Sequence, residues 1–206
     1  VLAIYKTIIP ITEGRSTMTH DPVLSSPQLT AETAEGKTKD LLEGARKKLG
    51  FLPNMYGYMG HVPELLEAYL SAYAGFREGA GFTPPEQEVV FLAISLANGC
   101  DYCAAAHSMI AEKVSKVPAD SLSALREGRT LPDAKLDALA VFTRAMVDSR
   151  GAPTKGQVEA FLAAGYTERH VFGIILGIGV KTYSNYTNHM TGTEIDAAFA
   201  GHKLAS

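Results

Sequence analysis

Cysteine is scarce in this chain of 206 residues, which has only Cys100 and Cys103. So small a number, at C-x2-C spacing, argues against a secreted scaffold stapled by disulfides and for a reducing compartment, the cytoplasm, where the pair cycles or binds metal. Charge of one sign is lacking too. Nineteen Lys and Arg stand against 22 Asp and Glu for a net charge of −3, and with no basic stripe to neutralise phosphates, nucleic acid is a poor partner. The longest apolar stretch, Phe172 to Val180, is far too short to cross a bilayer, so no membrane span is expected. Alternation with period two never extends beyond a few residues, which leaves little room for strands.

What is present is ordinary globular material, 46% hydrophobic and 20% charged, enough for one core and one domain. Apolar residues recur three and four apart through most of the chain, predicting an all-α, multi-helix bundle. Val1 to Ile11 are apolar, but Lys6 interrupts them and no small-residue cleavage site follows, so they are not read as a signal sequence. Met18 reads as a natural start, with 1–17 as upstream sequence. Residues 1–28 are accordingly an N-terminal extension, non-native in part or flexible, and residues 29–206 the helical domain.

The spacing predicts a polar helix over 31–49 ended by Gly50, a connector Phe51-Leu52-Pro53-Asn54, and a helical turn over 55–59. A helix from Pro63 to about Arg77 carries Leu65, Leu66, Tyr69, Leu70 and Tyr73 on one stripe. Thr83-Pro84-Pro85-Glu86 is a capping box opening a helix over 84–98, almost wholly apolar after Glu88 and hence buried. Gly99 breaks the chain and Cys100 begins the next helix. Downstream come a short helix over 120–127 and a longer one over 133–150, stopped by Gly151, that turns Leu136, Leu139, Ala140, Phe142 and Met146 inward. Thr154 and Gln157 form a second capping box, and Thr167 caps the last long helix, where Gly173 and Gly177 let another helix approach closely. From about Ile195 the chain reads as a tail helix.

Glu88, Cys100, Cys103 and His107 form the run E-x11-C-x2-C-x3-H. Thiols three apart can close a disulfide within one helical turn, and His107 lies on the same face as Cys103. The first turn of a helix offers free N–H groups and positive dipole, so a thiolate at Cys100 or Cys103 is favoured there. His107 can take the thiol proton or stabilise the thiolate, and Glu88 can orient the imidazole or accept a proton through water. Asp101 opposes this by placing a carboxylate beside both thiols. The competing reading is structural zinc on Cys100, Cys103 and His107, with Glu88 or another histidine as fourth ligand. It is weaker, because such zinc knuckles usually come in pairs on loops, whereas these thiols open an apolar helix.

The same four residues, with Leu96-Ala97-Asn98-Gly99-Cys100-Asp101-Tyr102-Cys103 and the following Ala104 to Ser108, resemble the core of the alkylhydroperoxidase D and carboxymuconolactone decarboxylase superfamily. Leu49 to Asn54 and His61 to Leu66 resemble its entry segment. Asn185-Tyr186-Thr187-Asn188-His189 with Gly192-Thr193 resembles its closing segment, so the likeness runs from about Lys39 to Ala197. The resemblance implies an all-helical homo-trimer or homo-hexamer that uses no metal or organic cofactor and reduces peroxides through a Cys100–Cys103 disulfide. It further implies Cys103 as attacking thiol, Cys100 as resolving thiol, and Glu88 and His107 as proton relay. In alkylhydroperoxidase D itself dihydrolipoyl groups restore the dithiol and a peroxiredoxin can receive its electrons. For this chain the expected partners are a peroxide and a dithiol reductant, dihydrolipoyl or thioredoxin-like. The 185–189 cluster either lines the opening such a reductant needs, meets another subunit, or is an uncommitted helix end. The rival functions are a thiol-based sensor with little turnover and a lactone decarboxylase, which does not depend on a dithiol.

Overall fold

The computed structural model describes residues 21–204, and every regular element among them is helical. The start-site and signal-like readings of 1–17 lie outside the described residues, and residues 21–35 carry no helix. The first helix, α1 (Gly36–Leu49), begins five residues later than its composition suggests. Thr30 and Thr33 explain the delay: the Thr33 hydroxyl accepts from the Thr30 backbone N–H at 2.9 Å, and the Thr30 hydroxyl accepts from the N–H groups of Glu32 and Thr33 at 3.2 Å. Side chains that bond nearby backbone in this way favour a turn over a helix. Gly50 closes α1 in the left-handed conformation, at φ 80°.

The short α2 (Asn54–Met59) leads to α3 (Pro63–Gly79), which starts on its proline. Next comes α4 (Pro84–Ala97), opened by the Thr83–Glu86 capping box. It is the centre of the molecule. From Glu86 to Ser95 every residue of α4 is buried, because α4 packs against α5 (Asp101–Lys113), α6 (Ala119–Glu127), α7 (Ala134–Asp148) and α9 (Glu168–Thr191). Removing a side chain such as Leu92 or Ile94 to alanine here costs about 2–5 kcal/mol. Against α7 lies α8 (Lys155–Ala163), capped by Thr154 and Gln157, and its Phe161 stacks between Phe142 and Tyr166.

Helix α7 ends at Asp148, earlier than Gly151 implies, because Arg150 itself takes the left-handed position at φ 56° and Gly151 then donates back to the Met146 carbonyl. The tail from Ala197 to His202 is a 3-10 helix. On α9 the close approach is real: a Cβ on Gly173 would stand 2.9 Å from the Phe82 ring, and one on Gly177 3.0 Å from Phe76 and 3.2 Å from Val90. The opposite side of α9 leaves Phe172, Ile175, Tyr186 and Met190 exposed.

Candidate active site

The turn between α4 and α5 sets the site. Cys100 N–H bonds to the Ser95 carbonyl at 2.9 Å and Gly99 N–H to that of Leu96 at 3.3 Å, with Gly99 at φ 68°. This is the paired closure of a Schellman turn, and only glycine adopts its left-handed residue without strain. One residue later Cys100 caps α5, so the two helices fold back as a hairpin and bring Glu88 of α4 opposite His107 of α5.

All four sequence-predicted residues meet there and all four are buried. Cys100 and Cys103 stand 3.4 Å apart with both thiols free. Glu88 is fully enclosed, not the solvated first-turn charge that its position near a helix start would usually mean. Its Oε2 accepts from His107 Nδ1 at 2.8 Å, and its Oε1 pairs with the Arg77 guanidinium and lies 3.5 Å from the Ser115 hydroxyl. Burial pushes the Glu88 carboxyl up, but the His107 hydrogen bond and the charge of Arg77 override it, and the group is held below its ordinary range. An ionised carboxylate can only accept, so Nδ1 carries the proton and the basic lone pair of the imidazole lies on Nε2. Burial, reinforced by Lys181, lowers His107 to about 4. At neutral pH the imidazole is therefore a neutral base, oriented by a carboxylate.

The two thiols are not equivalent. Burial opposes ionisation of both. At Cys103 that opposition is outweighed by the hydrogen bond from Cys100, by the charge of Lys181, and by the nearby His107 ring and Ser184 hydroxyl, so Cys103 is drawn well below an ordinary thiol. Cys100, which gives up the shared hydrogen bond, is pushed up. Asp101 is not among the leading influences on either thiol. Asn188 Nδ2 adds a donor, 3.3 Å from Cys103 Sγ, 3.6 Å from Cys100 Sγ and 3.4 Å from Met55 Sδ. Behind the thiols, the Tyr102 hydroxyl donates to Asp196 at 2.5 Å, and Asp196 also accepts from the Asn54 N–H. That link ties α2 and the tail to the first turn of α5.

Several of these residues, Asn188 of the 185–189 cluster apart, were not anticipated. Arg77, on α3, donates to the Tyr73 hydroxyl at 2.6 Å and to Gln87 at 3.0 Å, and its guanidinium carbon lies 4.8 Å from the Tyr73 ring centroid and 5.0 Å from that of Phe91. Phe91 also contacts the His107 ring, with centroids 4.8 Å apart. Lys181, Ser184 and Asn188 come from α9, three and four residues apart and all buried. The sequence marks them only as polar side chains at helical spacing inside a largely apolar helix, which signals burial but not what they face. Part of the 185–189 cluster does reach the site, since Asn188 touches both sulfurs and Asn185 accepts from Asn98 at 2.8 Å, while Tyr186 points to solvent. Among the described residues no three His, Cys, Asp or Glu side chains are grouped to hold a metal, and Glu88, the suggested fourth zinc ligand, is engaged by Arg77 and His107.

Residues 63–144, which include all four motif positions, match the model of the carboxymuconolactone decarboxylase family. The fold agrees with an alkylhydroperoxidase AhpD core, an uncharacterized peroxidase-related protein from Ralstonia eutropha JMP134, at TM-score 0.73 and 20% identity over 87% of this chain and 95% of that one. The chain is thus similar to the carboxymuconolactone decarboxylase family over residues 63–144 and to an alkylhydroperoxidase core in its fold. A second similar fold, that of an uncharacterized peroxidase-related protein from Silicibacter sp. TM1040, superposes at TM-score 0.70 with 21% identity, covering 94% of this chain and 99% of that one. The debrominase Bmp8, solved with 2,3,4-tribromopyrrole, superposes at 0.67 with 22% identity, covering 81% and 89%. No curated protein matches the chain. Within the matched segment lie the dithiol, the acid and the imidazole, whereas Lys181, Ser184 and Asn188 fall beyond it.

Proposed function

We propose that the protein is a thiol-dependent peroxidase that reduces alkyl hydroperoxides or hydrogen peroxide and cycles Cys100 and Cys103 between dithiol and disulfide. The observation that carries this reading is the pair itself: two free thiols 3.4 Å apart, one drawn toward the thiolate and the other held protonated. The Cys103 thiolate attacks the distal peroxide oxygen. An S–O bond forms, the O–O bond breaks, and the alkoxide or hydroxide leaves as alcohol or water, taking a proton that solvent water supplies and His107 Nε2 relays. Cys100 then attacks the sulfenic sulfur, its proton passes to the departing hydroxyl as water leaves, and the disulfide closes. Two electrons have moved from the thiols to the peroxide. Asn188 Oδ1, buried and without a partner among the described residues, suits the O–H of a hydroperoxide.

A dithiol reductant, dihydrolipoyl or thioredoxin-like, restores the pair by exchange. The exposed stripe Phe172, Ile175, Tyr186 and Met190 on α9 supports assembly as a homo-trimer or homo-hexamer, and the free thiols suit the reducing cytoplasm. No helix among the described residues is long and apolar enough to cross a membrane. The shared fold with Bmp8 makes a bromopyrrole a second electrophile to test, because its reduction also draws two electrons from a dithiol. A lactone decarboxylase has no use for this dithiol or for a donor aimed at both sulfurs.

Stopped-flow consumption of hydrogen peroxide, an organic hydroperoxide and a bromopyrrole by the pre-reduced protein tests the proposal. Repeated turnover of a hydroperoxide with a dithiol present, lost in Cys103→Ser, supports it. One turnover without recycling by any dithiol assigns the sensor role, and inert thiols refute the reading.

A further inference from the structure

Lys181 is 1% exposed and lies in the middle of α9, facing inward. Its ammonium nitrogen is 5.5 Å from the centroid of the Phe91 ring, and among the described residues it has no carboxylate within salt-bridge distance. A lone cation enclosed in this way is costly unless an anion shares its surroundings. The carboxylate of the site, Glu88, is already engaged by Arg77 and His107. On the same face of α9, three and seven residues further on, stand Ser184 and Asn188, and the Asn188 amide donates to Cys103 Sγ at 3.3 Å. The Lys181 stripe thus faces the dithiol.

We infer that Lys181 is a positioning residue for the dithiol, the buried counter-charge that holds Cys103 as a thiolate while Cys100 stays a thiol. The inference deepens the peroxidase reading and rests on it. Other groups around Cys103 do not supply this charge. From α5 come the Cys100 thiol, the Tyr102 hydroxyl and the neutral imidazole of His107, from α3 the Tyr69 hydroxyl, and from α9 the uncharged Ser184 and Asn188. Burial pushes both tyrosines up, so they remain neutral, and Arg77 on α3 is paired with Glu88 of α4. Lys181 is the remaining cation, and its field acts on Cys103, Cys100 and His107 alike. It favours the thiolate and keeps the imidazole deprotonated, which together ready the site to attack and to relay a proton.

The test is a pH titration of thiolate ultraviolet absorbance in the reduced full-length protein, for wild type, Lys181→Met and Lys181→Arg, beside urea unfolding of each. Wild type is expected to show a first thiolate step below the ordinary thiol range. Lys181→Met should move it up by at least about one pH unit, and Lys181→Arg, which keeps the charge, should restore most of the shift. Lys181→Met should also be as resistant to urea as wild type or more so, since an apolar chain of similar volume replaces a buried charge, whereas a purely structural lysine would be missed. Should that variant fail to fold, Lys181→Gln carries the same comparison. A folded neutral variant whose thiolate step stays at the wild-type position overturns the role of Lys181 alone. A wild type with no step below the ordinary thiol range overturns the peroxidase reading as well.

Discussion

Glu88→Gln isolates the acid that organises the site. The substitution keeps the volume and removes the charge from a side chain with no exposure, whose two oxygens face Arg77 and Ser115 on one side and His107 Nδ1 on the other. A glutamine can satisfy Arg77 with its carbonyl, but its amide then confronts the His107 N–H, donor against donor. To relieve the clash the imidazole must move its proton to Nε2, which abolishes the base. Breaking a buried ion pair from one side costs about 3–5 kcal/mol. Arg77 retains 19% of its side-chain exposure, so the lower end, about 3 kcal/mol, is expected at neutral pH. The pH dependence has a definite sign. The folded carboxyl lies below its ordinary 4.5, so the unfolded chain takes up the proton first on acidification, and the stability that Glu88 contributes is full above that value and lost as pH falls through the folded one. The gap between wild type and Glu88→Gln in urea unfolding should therefore hold from pH 7 down to about 4.5 and narrow below it. Peroxide turnover should drop by about 10²–10⁴ through loss of the proton relay at His107 Nε2. A variant as stable as wild type at neutral pH, within about 0.5 kcal/mol, and equally active would refute the relay.

His107 carries its own acid signature: with a folded value of about 4 against 6.5, the unfolded chain binds the extra proton between those limits. Stability should fall by up to about 3 kcal/mol as pH drops through that window, and His107→Gln should flatten the slope in urea titrations. Gly177→Ala sets a methyl 3.0 Å from Phe76 and 3.2 Å from Val90, and should lower stability by about 1–3 kcal/mol in thermal unfolding. Gly179→Ala, where nothing lies within 4 Å, should instead gain up to about 1 kcal/mol from helix propensity, so similar effects at the two sites would contradict the packing described for α9. Asp196→Ala strands the Tyr102 hydroxyl and the Asn54 N–H, and a loss of about 1–3 kcal/mol with faster amide exchange in α2 is expected.

Much of this was legible in the chain because it is written locally. The Thr83–Glu86 and Thr154–Gln157 capping boxes, Gly50 and Gly99 at helix stops, and the unbroken apolar run of α4 each act within a turn or two of their own position. The E-x11-C-x2-C-x3-H run was readable for the same reason, since one hairpin carries all four residues. Arg77 and Lys181 were missed because their roles are tertiary. Nothing near Arg77 in sequence predicts that α3 will bring it to a carboxylate eleven residues away across a helix boundary, and Lys181 is 78 positions beyond Cys103. Composition misled at the edges: residues 31–35 read as helix until two threonine hydroxyls claimed the local N–H groups, and Arg150 enters the left-handed region one residue before Gly151, which follows it there.

The central claim is that Cys103 and Cys100 surrender two electrons as a pair. Peptide mass spectrometry of the reduced protein after one equivalent of an organic hydroperoxide tests it most directly. The account predicts an intramolecular Cys100–Cys103 disulfide in wild type, and in Cys100→Ser a sulfenic acid confined to Cys103. Both sulfurs recovered free and unmodified would contradict it.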